Sequence, residues 1–147
     1  MAAVLLTAEG LLVLVRHRRG PSVYHLLPGG GVEPRETLAE ALLREVTEET
    51  GLSMEIGPVL LINDTIDPDA GGRHIVNITF LGSITGGSIT DHPLDDRIEA
   101  VELVDPASIV DLDLRPPLAD ELLEALSHGF EGPARYLGPR WAPETGA

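Results

Sequence analysis

The feature that most constrains this chain is a helix that gathers carboxylates at the end where they are least favourable. Residues 44–52 read REVTEETGL, so Glu45, Glu48 and Glu49 lie close to Gly51, the residue predicted to end the helix. A carboxylate near a helix C-terminus opposes the helix dipole and costs about 0.3–1 kcal/mol at an exposed position. Glu45 and Glu49 also repel each other across one turn by about 0.2–0.5 kcal/mol. Something other than the helix itself is therefore expected to hold these charges together.

The sequence around these acids predicts a helix from 38 to 50. Thr37-x-x-Glu40 has the form of a capping box, and Gly51 suits the left-handed position that follows a helix. At 3.6 residues per turn the three glutamates fall within an arc of about 100°, so they share one face. A neighbouring apolar stripe can be buried while the acids face a cleft. This stripe consists of Ala39, Leu42, Leu43 and Val46.

Such an acidic face has two interpretations. Hard divalent cations prefer carboxylate and carbonyl oxygens, and Mg²⁺ in particular keeps waters and substrate phosphates as its remaining ligands. The alternative is a solvated acidic surface with no ligand. Three acids near one helix terminus, behind the triple-glycine turn at 29–31, favour the metal site.

The composition excludes several classes of function. A formal net charge of -14 argues against nucleic acid polymers and membrane surfaces as partners, since both require a basic protein surface. No cysteine is present, which rules out disulfides and thiolate metal sites. All ten basic residues are arginine, so the chain has no lysine for a Schiff base or a Walker-type phosphate loop.

The hydrophobic pattern predicts strands and two helices in one α/β or α+β domain that spans residues 1–147. The opening apolar run is followed by Glu9 and Gly10, too early for a membrane span, and no basic segment precedes it, so a cytoplasmic protein is expected. A hairpin is predicted from 4–7 and 11–15, and an irregular tail from about 129 to 147. The other predicted elements are strands at 23–27, 54–66, 74–84 and 100–104 and a helix at 118–127.

The spacing of the glycine turn and the acids is that of a known motif. Five residues separate Gly30 from Glu36, seven separate Glu36 from Arg44, and the helix then continues to Leu52 as EVTEETGL. This pattern matches the Nudix box, G-x5-E-x7-R-E-U-x-E-E-x-G-U with U an aliphatic residue, at every specified position. The chain therefore resembles Nudix hydrolases, which cleave nucleoside diphosphates linked to another moiety. The resemblance implies a single-domain α/β/α sandwich with a mixed sheet.

The resemblance also implies roles for the residues of the box. Glu45, Glu48 and Glu49 would ligate Mg²⁺, or Mn²⁺ as an alternative, together with the backbone carbonyl of Gly30. A bound divalent ion lowers the pKa of its water and makes hydroxide available near neutral pH. Arg44 and Glu36 would form a supporting pair that orients the acids, although a simple surface ion pair is the alternative for these two.

The general base is left open by the sequence. Glu48 or Glu45 is the most plausible member of the box, but some Nudix enzymes use a glutamate from a loop outside it. In this chain that loop is expected at 91–99. Arg97 stands where related sequences often have the glutamate, so the loop does not supply an obvious base.

The substrate predicted from the resemblance is a nucleotide-derived small molecule. ADP-ribose or a nucleotide sugar is the first expectation and a nucleoside triphosphate the second. Arg16, Arg18 and Arg73 are candidates for contacts with the diphosphate, the alternative being that they are solvated. The aromatic tail, with Phe130, Tyr136 and Trp141, is predicted either to close over the nucleotide, to pack against a second subunit of a homodimer, or simply to be pinned by its own aromatics. The rival function is a non-catalytic nucleotide sensor with the same fold.

Overall fold

The computed structural model describes residues 1–68 and 72–141 and shows a mixed α/β domain with seven strands and two α-helices in that part of the chain. A short 3-10 helix, Pro106–Asp111, precedes the second helix. The helices are α1 (Leu38–Thr50) and α2 (Ala119–Ser127). The strands are β1 (Ala2–Leu5), β2 (Leu12–Arg19), β3 (Ser22–Leu26), β4 (Leu52–Ile66), β5 (His74–Gly87), β6 (Ile98–Val104) and β7 (Arg135–Pro139).

The strands form two sheets. The larger has the order β1-β5-β4-β7 and is mixed, since β1 pairs parallel to β5, β5 antiparallel to β4, and β7 parallel to β4. The smaller has the order β3-β2-β6 and is antiparallel. The mixed sheet agrees with the sequence prediction.

The predicted hairpin between the first two strands is wrong. The turn itself exists, since Gly10 donates its N–H to the carbonyl of Thr7 at 2.9 Å, but only one isolated bridge, Leu6 to Leu12, joins the two strands. Beyond that bridge β1 enters the mixed sheet and β2 the antiparallel sheet. The two strands separate because β1 pairs with β5, far away in the sequence, whereas β2 pairs with β3 and β6.

Two apolar clusters flank these strands and place the helices on opposite sides. Alternate residues of a strand point to opposite faces, so Val4 and its neighbours Ala3 and Leu5 belong to different clusters. The first cluster includes α2 through Leu122. The second includes α1 through Leu42 and Val46. The α/β/α layering predicted from the resemblance is therefore present.

Two predictions about burial and the tail need correction. Ala39 and Leu43 are exposed, whereas Ala41 is fully buried, because α1 is rotated slightly from the position that its apolar stripe suggested. The tail is not irregular throughout, since Arg135–Pro139 form β7 beside β4. Residues 142–147 of the predicted tail lie outside the described residues. No helix in the described chain has the length and hydropathy needed to cross a membrane.

Candidate active site

Helix α1 positions the acids, and its two ends are defined by local hydrogen bonds. At the start, the Oγ1 atom of Thr37 accepts from the N–H of Glu40 at 3.2 Å, and the Glu40 carboxylate accepts from the N–H of Thr37 at 2.8 Å. At the end, Gly51 adopts φ 77° and donates its N–H to the carbonyl of Thr47 at 2.9 Å. The predicted capping box, C-terminal glycine and helix bounds are all confirmed.

The glycine turn after β3 lies directly against the acids of α1. The N–H of Gly29 donates to Oε2 of Glu49 at 2.8 Å. A Cβ atom at Gly30 would stand 2.4 Å from the carboxyl carbon of Glu45, so a larger residue would displace that carboxylate from its present position. The carbonyl of Gly30 accepts a hydrogen bond from the amino group of Met1 at 2.9 Å. The turn thus contacts two of the three predicted carboxylate ligands, Glu45 and Glu49.

Arg44 joins the remaining acids into one network. It donates from Nε and Nη2 to the two carboxylate oxygens of Glu36, at 2.7 and 3.0 Å, in the bidentate geometry that a planar guanidinium favours. Its Nη1 atom donates to Glu45 at 3.0 Å and to Glu48 at 3.3 Å. The guanidinium holds the pKa of Glu36 down at about 2, so Glu36 is ionised at neutral pH. The structure therefore brings Glu36, Arg44, Glu45 and Glu48 together.

Glu49 differs from the other acids of α1 because it is buried. Its side chain is 6% exposed, and this desolvation raises the pKa of its carboxyl to about 7, against the opposing effect of the hydrogen bond from Gly29. The charge of Glu45 adds to the rise. A carboxylate in this position benefits from a nearby cation more than an exposed one does.

The predicted ligands suit a hard divalent cation by their chemistry, although the carboxylates do not converge on one metal position. Three carboxylates and the Gly30 carbonyl offer only oxygen ligands, as Mg²⁺ and Mn²⁺ prefer. Within residues 1–68 and 72–141, no three His, Cys, Asp or Glu side chains are arranged closely enough to hold a metal ion. The reason is visible in the contacts: Arg44 holds Glu45 and Glu48, while Gly29 holds Glu49.

The loop between β5 and β6 packs on the C-terminal end of α1. The N–H of Thr90 donates to the carbonyl of Thr50 at 2.9 Å, and the N–H of Leu94 donates to the carbonyl of Glu48 at 3.2 Å. Arg97 is bound by Asp95 through its Nε and Nη2 atoms, at 2.9 and 2.6 Å. The loop therefore brings a guanidinium and its counterion to the site, and it leaves the general base unassigned.

A cavity of about 460 Å³ lies beside the acids, between the two sheets. One border is formed by Glu49, Arg97 and the glycines of the 29–31 turn. Arg73, a predicted substrate-binding residue, lines this cavity. Arg16 and Arg18 do not line it, because they lie on the other face of β2, where both bind Glu99 at 3.0 and 2.9 Å.

The structure adds cavity residues that the sequence did not single out. His17, Tyr24, Asn77 and Arg115 line the same cavity from β2, β3, β5 and the segment before α2. Alternation along β2 and β3 could have placed His17 and Tyr24 on one face, but it could not have shown that this face adjoins the acids. The three aromatic side chains of the tail, Phe130, Tyr136 and Trp141, do not line the cavity. Their positions therefore give no support to the prediction that the tail covers the nucleotide.

The sequence is similar to those of several known proteins. The model of the NUDIX domain matches residues 1–126. An ADP-ribose pyrophosphatase of Methanocaldococcus jannaschii is 34% identical over 82 residues, which cover 55% of this chain and 48% of that protein, about half its length. Phosphatase NudJ of Escherichia coli (strain K12) is 29% identical over 138 residues, covering 92% and 88% of the two chains.

A solved structure has the same fold over most of its length. The NUDIX hydrolase from Nitrosomonas europaea superposes with a TM-score of 0.74 at 27% identity, and the match covers 90% of this chain and 89% of the other. The agreement extends well beyond the 23 residues from Gly30 to Leu52 that carry the motif.

Proposed function

Because this chain belongs to the Nudix hydrolase family and is an enzyme of that family, we propose that it hydrolyses a pyrophosphate bond in a nucleoside diphosphate linked to another moiety, with Mg²⁺ as the cofactor. Enzymes of this family generally use divalent metal cations, and Mn²⁺ is the alternative ion here. The first expected substrates are ADP-ribose and nucleotide sugars.

The observation that carries the proposal is the network around Arg44. Its guanidinium contacts Glu36, Glu45 and Glu48 at once, so the supporting pair and two of the predicted ligands are already neighbours. A surface ion pair would not require this arrangement. A pure nucleotide sensor would have no need for a cluster of carboxylates with one member buried.

The residues would divide the work as follows. Glu45, Glu48, Glu49 and the Gly30 carbonyl would hold the ion, which when bound supplies a water of lowered pKa and neutralises charge on the phosphates. Glu36 and Arg44 would keep Glu45 and Glu48 in position. Glu48 has a side chain that is 40% exposed and that, among the described residues, hydrogen-bonds only to Arg44 at 3.3 Å, so it is the member best able to accept a proton from water.

The substrate class is supported by a relative and by the cavity. The protein from Methanocaldococcus jannaschii is named as an ADP-ribose pyrophosphatase, and its match spans 82 residues of this chain. The cavity beside the acids, at about 460 Å³, is within the range of roughly 300–1,000 Å³ that small-molecule sites occupy. A cytoplasmic location and a homodimer remain predictions.

The test measures the turnover of ADP-ribose, a nucleotide sugar and a nucleoside triphosphate with Mg²⁺. The quantity monitored is the release of the nucleoside monophosphate. Glu48→Gln should lower kcat by at least about a hundredfold, as expected on removal of a general base. Glu55→Gln, which alters an exposed glutamate on β4, serves as the matched control and should keep full activity. If the wild type binds these nucleotides and hydrolyses none of them, the sensor replaces the enzyme.

A further inference from the structure

One wall of the cavity carries three side chains in a row. His17 of β2 and Tyr24 of β3 are register partners, and their rings stack with centroids 5.3 Å apart at an interplanar angle of 28°. Arg115 follows Leu114, which bridges to β3, and its Cζ atom lies 4.4 Å from the centroid of the Tyr24 ring. The Tyr24 ring is therefore held in one orientation by contacts with both neighbours.

The two neighbours of Tyr24 are themselves held firmly. His17 is buried, with 6% of its surface exposed. Arg115 donates from Nε and Nη2 to the two carboxylate oxygens of Asp113, at 3.0 and 2.6 Å. A ring fixed in this way loses little conformational entropy when a ligand binds against it.

The Tyr24 hydroxyl is one of the polar groups in this row. Within the described part of the chain it makes no hydrogen bond, whereas the hydroxyl of the other tyrosine, Tyr136, donates to Asp64. A tyrosine hydroxyl usually has a hydrogen-bond partner when it is buried, and a ligand in the cavity would bury this one. The mechanism proposed above assigns Tyr24 no role.

The rest of the cavity has the character of a site for a sugar and a base. Asn77 and Thr79 of β5 add polar groups to a lining that includes Ile75, Leu26 and Leu118. Apolar walls with a few fixed polar groups are typical of small-molecule sites. Because Glu49 and the glycine turn form one border of this cavity, a diphosphate held there would place the attached nucleoside within the cavity.

We propose that Tyr24 is a specificity-determining residue and that its hydroxyl hydrogen-bonds to the nucleoside half of the substrate. His17 and Arg115 are positioning residues, because they orient the ring of Tyr24. This inference rests on the function proposed above and deepens it, since it assigns the nucleoside to the cavity between the sheets.

The direct test is calorimetry with two analogues that resist hydrolysis. One is α,β-methylene-ADP and the other is methylenediphosphonate, which lacks the nucleoside; each is titrated with Mg²⁺ present. Tyr24→Phe should bind the ADP analogue about tenfold more weakly, as expected for one lost hydrogen bond, and should bind the diphosphonate unchanged. The control Tyr136→Phe removes a hydroxyl outside the cavity and should leave both affinities unchanged.

The role of Arg115 is tested by a double-mutant cycle with Tyr24. Arg115→Met should weaken binding of the ADP analogue in the wild-type background and have little further effect in the Tyr24→Phe background. Equal weakening in both backgrounds would overturn the positioning role.

Other outcomes separate this inference from the proposed function. Unchanged affinity of Tyr24→Phe for the ADP analogue, equal weakening for the diphosphonate, or no binding of the ADP analogue by the wild type would overturn the inference. A wild type that binds the analogue through Tyr24 but cleaves no nucleotide would overturn the proposed function alone.

Discussion

The burial of Glu49 leads to a quantitative prediction about the metal-free protein. Its carboxyl has a pKa raised from 4.5 to about 7, because burial disfavours the charged form. The folded state therefore holds this proton more tightly than the unfolded chain does. The contribution of Glu49 to stability is fully present below about pH 4.5 and is lost as the pH rises through about 7.

The size of the effect follows from the pKa shift. At about 1.4 kcal/mol per pH unit, the free energy of unfolding of the wild type should lose about 3 kcal/mol over this range. Glu49→Gln does not titrate, so its stability lacks this contribution. Any constant effect of the amide is the same at every pH and cancels from the comparison. For a domain of this length the difference in Tm between the variant and the wild type should change by about 6–12 °C.

The assay is thermal unfolding followed by circular dichroism in EDTA between about pH 5 and 8.5. Glu49→Gln should gain stability relative to the wild type as the pH rises. Glu55→Gln, an exposed matched control, should follow the wild-type curve throughout. Parallel curves for Glu49→Gln and the wild type would refute the reasoning, because they would mean that the buried carboxyl has the same pKa in the folded and unfolded states.

Three further substitutions test the contacts around the acids. Arg44→Lys should lower kcat/KM at least about tenfold, since lysine cannot reproduce the bidentate pair with Glu36; steady-state kinetics that match the wild type would contradict this. Gly30→Ala should weaken Mg²⁺ binding in calorimetry, because its Cβ would stand 2.4 Å from the carboxyl carbon of Glu45. Gly51→Ala should lower the free energy of unfolding in urea by more than about 1 kcal/mol, since φ is 77° there, and an unchanged urea midpoint would argue against it.

Helix α1 could be predicted from the sequence to its terminal residues, because its limits depend on neighbours in the chain. The capping box joins residues three apart, and Gly51 bonds back four residues to Thr47. Such contacts are the same wherever the helix lies in the fold. The placement of the acids on one face of α1 likewise depends only on their spacing in the sequence.

The pairing of the strands could not be predicted in the same way. The hairpin prediction failed because β1 pairs with β5, where Ala2 lies opposite Thr79. The strand β7 was missed because a short segment rich in glycine and proline acquires its structure from β4. Strand pairing depends on which edges meet after the chain has folded, and the local pattern contains little information on that point.

The sequence by itself determined the acids, their spacing and the helix that carries them, because these features arise from contacts between residues a few positions apart. Only the tertiary structure decided which acid is buried and what surrounds the neighbouring cavity. The pKa of Glu49 is raised by burial and held back by the hydrogen bond from Gly29, which is twenty residues away in the chain. The orientation of Tyr24 depends on Arg115, which belongs to a different part of the fold. Desolvation and hydrogen bonding act through space, so they appear only when distant segments have been brought together.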